Sequence, residues 1–212
     1  MKNRLLLRSC LIILVLLSPK MVVAEPVQQT FSTLTKTYEK MENLQADFTQ
    51  TTQFADFDTK AISKGKVFFK KGKMRWDYFS PNRQQIFVDG DHLLHYVPEH
   101  NQAIKSHIGR RTGLPINLFA DLGKMQDLFA ISQKQKHEMT LTPKEKTSPL
   151  TQMVLTLMPA PTPPDLLIQK VVLYEENNNR STFVFHDFHI NKKFQDDPFA
   201  FQLPKDAEVI ER

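Results

Sequence analysis

Seven histidines are the side chains best able to serve as metal ligands or as acid–base groups near neutral pH. The most closely spaced are His92-x-x-His95 and His186-x-x-His189. Residues three apart on a strand point to opposite faces, so neither pair is expected to share a metal ion. Glu175-Glu176 and Asp196-Asp197 are adjacent, which throws their side chains apart and argues against a carboxylate dyad. The sequence carries no Gly-rich phosphate loop, no Gly-x-Ser-x-Gly elbow and no His-Glu-x-x-His motif. A Ser or Thr nucleophile stays open from sequence alone. The expectation is no catalytic residue, no metal and no cofactor.

Two other groups of residues stand out. Lys64, Lys66, Lys70, Lys71, Lys73 and Arg75 fall within one short stretch, where the ordinary reading is the solvated face of a hairpin. The chain also holds 16 Phe, 4 Tyr, one Trp and 8 Met. Such residues ordinarily fill a core; a curved sheet under a helical cover is the alternative, with an apolar cavity for lipid.

The elements that position these groups follow from periodicity. Val27, Phe31, Leu34, Tyr38 and Met41 are spaced by three or four, which predicts a helix over 26–41. From Leu44 the period is two, with Ala46 and Phe48, which predicts a half-buried strand. Residues 66–70 and 73–79 flank Lys71-Gly72, a pair suited to a tight turn. That turn sets Lys70 against Lys73, Phe69 against Met74 and Val67 against Trp76. One face is then Val67, Phe69, Met74, Trp76 and Tyr78. The other is mainly charged, with Arg75 and Asp77, as in a sheet wet on one side. A second hairpin joins 84–88 to 92–97; a Gly90-Asp91 loop, preferred here, pairs Val88 with Leu93 and Phe87 with Leu94.

Further strands are expected at 102–107, 128–132, 138–142, 150–158, 167–175, 181–190 and 199–203, with a short helix at 116–122 stopped by Gly123. Residues 159–164, rich in Pro, are expected to form an extended loop. About eleven short strands without helix–strand alternation predict an α+β fold: a curved antiparallel sheet with helices on one face.

Of the formal charge of +5, four positive charges lie in the first 24 residues, at Lys2, Arg4, Arg8 and Lys20, beside no acidic residue. The remainder carries +1, which gives no field for nucleic acid. Those 24 residues have a charged start, an apolar stretch over 10–17 and Val22-Val23-Ala24 before Glu25, the outline of a cleaved secretory signal peptide. The apolar run is far below the roughly 20 residues of a membrane span. Cys10 precedes most of that stretch, so it is not a lipidation site at a new N-terminus. Residues 25–212 are expected to form a single exported domain.

Several motifs, in order, carry a family likeness: Leu44-Gln45-Ala46-Asp47-Phe48-Thr49-Gln50; Gly65-Lys66-Val67-Phe68-Phe69-Lys70-Lys71; Met74-Arg75-Trp76-Asp77-Tyr78 with Pro81; and Asp89-Gly90 with Tyr96 and Pro98. The tail adds Asn191, Asp197-Pro198-Phe199-Ala200-Phe201, Leu203-Pro204 and Glu208-Val209-Ile210. Over nearly all of 25–212 the chain resembles the LolA family of periplasmic lipoprotein carriers. The resemblance implies an incomplete antiparallel β-barrel with a helical lid over a hydrophobic cavity for lipoprotein acyl chains. It implies cargo taken from an inner-membrane ABC transporter and passed to an outer-membrane receptor, by a monomer that hydrolyses nothing. The expected lining is Val67, Phe69, Met74, Trp76 and Tyr78, with Phe87 and Phe48 as further candidates. The expected lid contacts are Phe31, Leu34, Tyr38, Leu118 and Phe119.

The family's basic-Pro turn before the Trp strand, whose Arg is thought to hold the lid, corresponds here to Lys70-Lys71-Gly72. The resemblance places lid closure at Lys71, which lacks the planar fork of a guanidinium. A carrier or sensor of another periplasmic lipid on the same fold, and a periplasmic hydrolase, are the alternative readings.

Overall fold

The computed structural model describes residues 27–107, 118–120, 122–146, 149–161 and 165–212. The expected signal peptide, the start of the expected short helix and part of the Pro-rich loop lie outside the described residues. Helix α1 (Val27–Lys40) forms where the three-to-four spacing predicts it and buries Thr30, Phe31, Leu34, Thr37 and Tyr38 on one stripe. At Asn43 the chain turns into strand, where the apolar period changes to two.

The strands are β1 (Asn43–Phe54), β2 (Thr59–Lys70), β3 (Lys73–Ser80), β4 (Gln84–Asp89), β5 (His92–Val97), β6 (Gln102–His107), β7 (Phe129–Gln135), β8 (Glu138–Pro143), β9 (Leu150–Pro159), β10 (Leu166–Glu175), β11 (Arg180–Ile190) and β12 (Glu208–Glu211). They form one 12-stranded sheet in the order β12-β6-β5-β4-β3-β2-β1-β11-β10-β9-β8-β7. Its two edges do not pair with each other among the described residues, so the barrel is open. The inner face carries the core, and α1 packs there against β10 and β7.

The two hairpins have the expected registers. Lys70 pairs with Lys73, Phe69 with Met74 and Val67 with Trp76, around Gly72 at φ +77°. Val88 pairs with Leu93 and Phe87 with Leu94, around Gly90 at φ +57°. Glycine accepts these left-handed angles without a Cβ clash.

Four features differ from expectation. Strand β2 begins at Thr59 rather than 66; its first half is exposed on both faces, so backbone pairing to β1 holds it without an apolar alternation. Gly123 does not stop a helix: it sits inside a 3-10 turn (Leu122–Lys124) that leads into the short helix α2 (Met125–Leu128). Residues 199–203 form no strand. Pro198 and Pro204 bracket them and lack N–H donors, and their alternating Phe side chains dock on a sheet face instead of joining a ladder. The last strand is β12, which pairs with β6 in parallel, so the sheet is not wholly antiparallel.

The outer face of the β2–β3 hairpin is also drier than expected, because the C-terminal tail crosses it. Phe201 stacks on Phe87 at 4.5 Å and tilts against Tyr96 at 5.7 Å, while Phe194 meets Phe68 at 5.9 Å. Arg75 lies under this tail. Its guanidinium donates to the Pro198 carbonyl at 2.5 Å and to Asp77 Oδ1 at 2.7 Å, and sits 4.9 Å from the centre of the Phe87 ring.

Candidate functional site

The inner faces of β2 and β3 bring Val67, Phe69, Met74 and Trp76 side by side, each at most 3% exposed. Tyr78 follows on β3, half-buried, and donates its hydroxyl to Gln50 Oε1 at 2.9 Å. Phe48 on β1 sits among them, edge-on to Trp76 at 5.1 Å and to Tyr78 at 5.0 Å. Phe87 does not join this group. It pairs across strands with Arg75, so the two-residue period puts it on the outer face against Phe201.

Gly65 makes room for the Phe48 ring. A Cβ at that position would overlap the Asp77 carbonyl oxygen and stand 2.6 Å from the ring. Gly65→Ala is therefore expected to lower stability by about 1–3 kcal/mol, the usual cost of overpacking. Urea unfolding checks this, and an unchanged midpoint would contradict it.

The inner face is closed from above by α1 and the 118–120 turn. Phe119 lies between two parallel rings, Tyr38 at 5.4 Å and Trp76 at 6.5 Å, and meets Phe185 edge-on at 5.3 Å. Phe31, Leu34 and Leu118 are buried in the same cluster. Among the described residues, the polar contacts that join α1 to β10 and the residue before it come from Thr37, Tyr38 and Lys40. The Ile168 N–H donates to the Tyr38 hydroxyl at 3.2 Å and the Leu166 N–H to Thr37 Oγ1 at 3.1 Å, while Lys40 stands 3.9 Å from Asp165. Burial pushes the Tyr38 phenol well above the usual tyrosine range, with the Ile168 N–H opposing this in part, and burial alone does the same to Tyr78. Both rings are thus neutral at physiological pH.

Lys71 is exposed at the β2–β3 turn and makes no hydrogen bond or ion pair to a described residue. Sequence reasoning missed Thr37, Phe183 and Phe185. The two Phe of β11 show the right alternation, but only the β1–β11 pairing brings them beside Phe48 and Trp76.

The strand argument against His186-x-x-His189 also needs correction. Gln45 pairs with His189 and Asp47 with His186, so two steps on β1 match three on β11. The extra residue is a bulge with Asp187 at φ +53°, and it returns both histidines to the outer face. There His186 Nδ1 lies 2.8 Å from Asp187 and Asp47 lies 3.5 Å from Lys66.

What this geometry offers chemically is a buried apolar and aromatic face beneath a lid, whose polar contacts to the sheet, among the described residues, are those of Thr37, Tyr38 and Lys40. A family described as "Outer membrane lipoprotein carrier protein LolA" matches residues 39–202. The chain belongs to the LolA family. A relative in Pseudomonas putida (strain GB-1), an outer-membrane lipoprotein carrier protein, is 28% identical over 195 residues, covering 89% of this chain and 91% of its own. Two solved structures share the LolA-like fold at low identity. The crystal structure of an uncharacterized conserved protein from Thermus thermophilus matches with TM-score 0.54 and 13% identity, covering 87% of this chain and 98% of its own. That of a LolA superfamily protein from Nitrosomonas europaea matches with TM-score 0.50 and 12% identity, covering 79% and 94%. In this LolA chain, no helix of the described residues is long and apolar enough to cross a membrane.

Proposed function

We propose that this LolA chain is a periplasmic carrier that takes lipoprotein acyl chains into the space between α1 and the inner face of β1–β3. It receives them from an inner-membrane ABC transporter, hands them to an outer-membrane receptor, and catalyses no reaction. Residues 1–24 direct its export and are removed. The observation that carries this reading is the position of Phe119, whose ring lies between those of Tyr38 and Trp76 and meets Phe185 edge-on. An entering acyl chain takes the place of that ring.

Magnitudes favour the exchange. Burying each methylene is worth about 0.8 kcal/mol, so a long acyl chain leaving water gains on the order of 10 kcal/mol. Against this stand the hydrogen bonds that Thr37 and Tyr38 accept, at about 1 kcal/mol each, the aromatic contacts at about 1 kcal/mol each and the burial of the Phe119 ring at about 1.5–3 kcal/mol. Cargo therefore outcompetes the lid, and the re-closing lid in turn helps expel cargo at the receptor. Met41, Met74, Met125, Met139 and Met153 are buried in the same core cluster as Trp76 and Phe119, and unbranched side chains of this kind repack readily as their surroundings change. Lid closure rests on Tyr38 and Thr37 gripping the backbone of β10, a role the family likeness assigned to Lys71.

The test is reconstitution. Purified protein should release a lipoprotein in soluble form from inner-membrane vesicles supplied with the transporter and ATP. Cargo that stays in the membrane, under conditions where a known LolA carrier releases it, would refute the proposal.

A further inference from the structure

The outer face of five adjacent strands has a pattern that carriage in the interior does not use. In-register rungs cross β2, β1, β11, β10 and β9. One rung carries Lys64 and Lys170, and another, four residues along, carries Lys60 and Arg180. The rung between them is β-branched throughout: Ile62, Thr51, Thr182, Val172 and Val154. None of residues 49–53, 60–64, 152–156, 170–174 and 180–184 is acidic.

Three other cations on this face meet carboxylates, whereas Lys70, at the far end of β2, meets none among the described residues. Lys66 meets Asp47, Lys73 meets Asp89, and Arg75 meets Asp77 beneath the tail. By contrast, Lys60, Lys64, Lys170 and Arg180 pair with no carboxylate of a described residue, and Arg180 reaches only Gln53. Large apolar side chains stand beside these four cations. Ile62 is 57% exposed, Phe79 at the end of β3 55%, and Phe57 in the β1–β2 turn 76%. Phe57 and the two acids of that turn, Asp56 and Asp58, lie beyond the rungs, as do Glu175 at the end of β10 and Glu176 after it.

We propose that this face is a contact surface for a bilayer bearing anionic phospholipid. Unmatched cations around a β-branched centre complement a plane of anionic headgroups, and the exposed Phe and Ile side chains suit the interfacial layer just below it. Each Lys or Arg near an anionic surface raises partitioning about five-fold, so four give firm but reversible contact that salt weakens. A carrier that collects and delivers at membranes then stays close to the leaflet without inserting. That purpose rests on the carrier reading, but the contact is measured with protein and vesicles alone, so failure of either leaves the other standing.

The test is co-sedimentation of the purified protein with phosphatidylglycerol–phosphatidylcholine vesicles, against vesicles of phosphatidylcholine alone. Binding is expected only to the anionic vesicles and should fall steeply with salt. The double variant Lys60→Gln, Lys64→Gln should lower the partition coefficient about 25-fold, and so should Lys170→Gln, Arg180→Gln, with unfolding midpoints unchanged. Ile62→Ser with Phe79→Ser should weaken binding while preserving its salt slope. Equal binding to both vesicle types, or charge variants that bind like the parent, would overturn the proposal. So would absence of vesicle binding at low salt, which would leave an acidic protein face as the occupant.

Discussion

Trp76→Asp is expected to abolish acyl-chain uptake. Trp76 is 2% exposed and touches Phe48, Phe119, Phe183 and Phe185. A carboxylate there loses the indole's packing, worth about 3–5 kcal/mol, and must itself be desolvated or protonated. Since a domain of this kind holds only about 5–15 kcal/mol in total, the variant approaches the limit of folding. Trp76→Leu separates the two effects, because it keeps the site apolar. It should fold, with a lower unfolding midpoint, and bind a fluorescent fatty-acyl probe within a few-fold of the parent. Trp76→Asp should bind none. If Trp76→Asp bound the probe as well as Trp76→Leu, the inner face of β3 would not be the acyl site.

The second large effect has the opposite sign. Phe119→Ala is expected to tighten acyl binding about 100-fold and to slow delivery by a similar factor. On the proposed mechanism the Phe119 ring fills, in the closed form, the space that cargo is to take, and its own burial there is worth about 1.5–3 kcal/mol before the ring contacts are added. Removing the ring removes that cost from binding, and the same free energy is no longer available to expel cargo at the receptor. A titration with the acyl probe and a transfer assay to the receptor read the two halves. Weaker binding by Phe119→Ala would make Phe119 a wall of the site rather than a placeholder in it.

Much of this arrangement was legible in local sequence. The Lys71-Gly72 turn sets the β2–β3 register by geometry alone, and that register puts Val67, Phe69, Met74 and Trp76 on one face. The helical spacing of Phe31, Leu34 and Tyr38 likewise points one stripe of α1 inward. What escaped depends on contacts between distant segments. Phe183 and Phe185 are far from Trp76 in the chain, and only the closing pairing of β11 with β1 unites them. Phe87 was a candidate for the lining because an apolar side chain on a neighbouring strand reads as core. Nothing local shows that Phe201, more than a hundred residues later, covers the other face. The bulge at Asp187 carries no glycine to announce it, so strand parity misplaced His189 relative to His186. The same limit applies to the basic stretch of β2 and β3, whose members the fold sends to different fates: Lys66 to Asp47, Arg75 under the tail, Lys71 to an open turn.

In the loaded carrier, cargo acyl chains are expected to lie against Trp76 in place of Phe119, and Trp76 is the only tryptophan in the chain. Its fluorescence therefore reports on the site without a label. Lipopeptides with bromine atoms along the acyl chain quench an indole only at contact distance. Strong quenching is predicted on binding, and none from the same lipopeptide brominated only in its peptide part. Full Trp76 emission in a complex shown by native mass spectrometry to hold the acyl-brominated lipid would contradict acyl contact at this site.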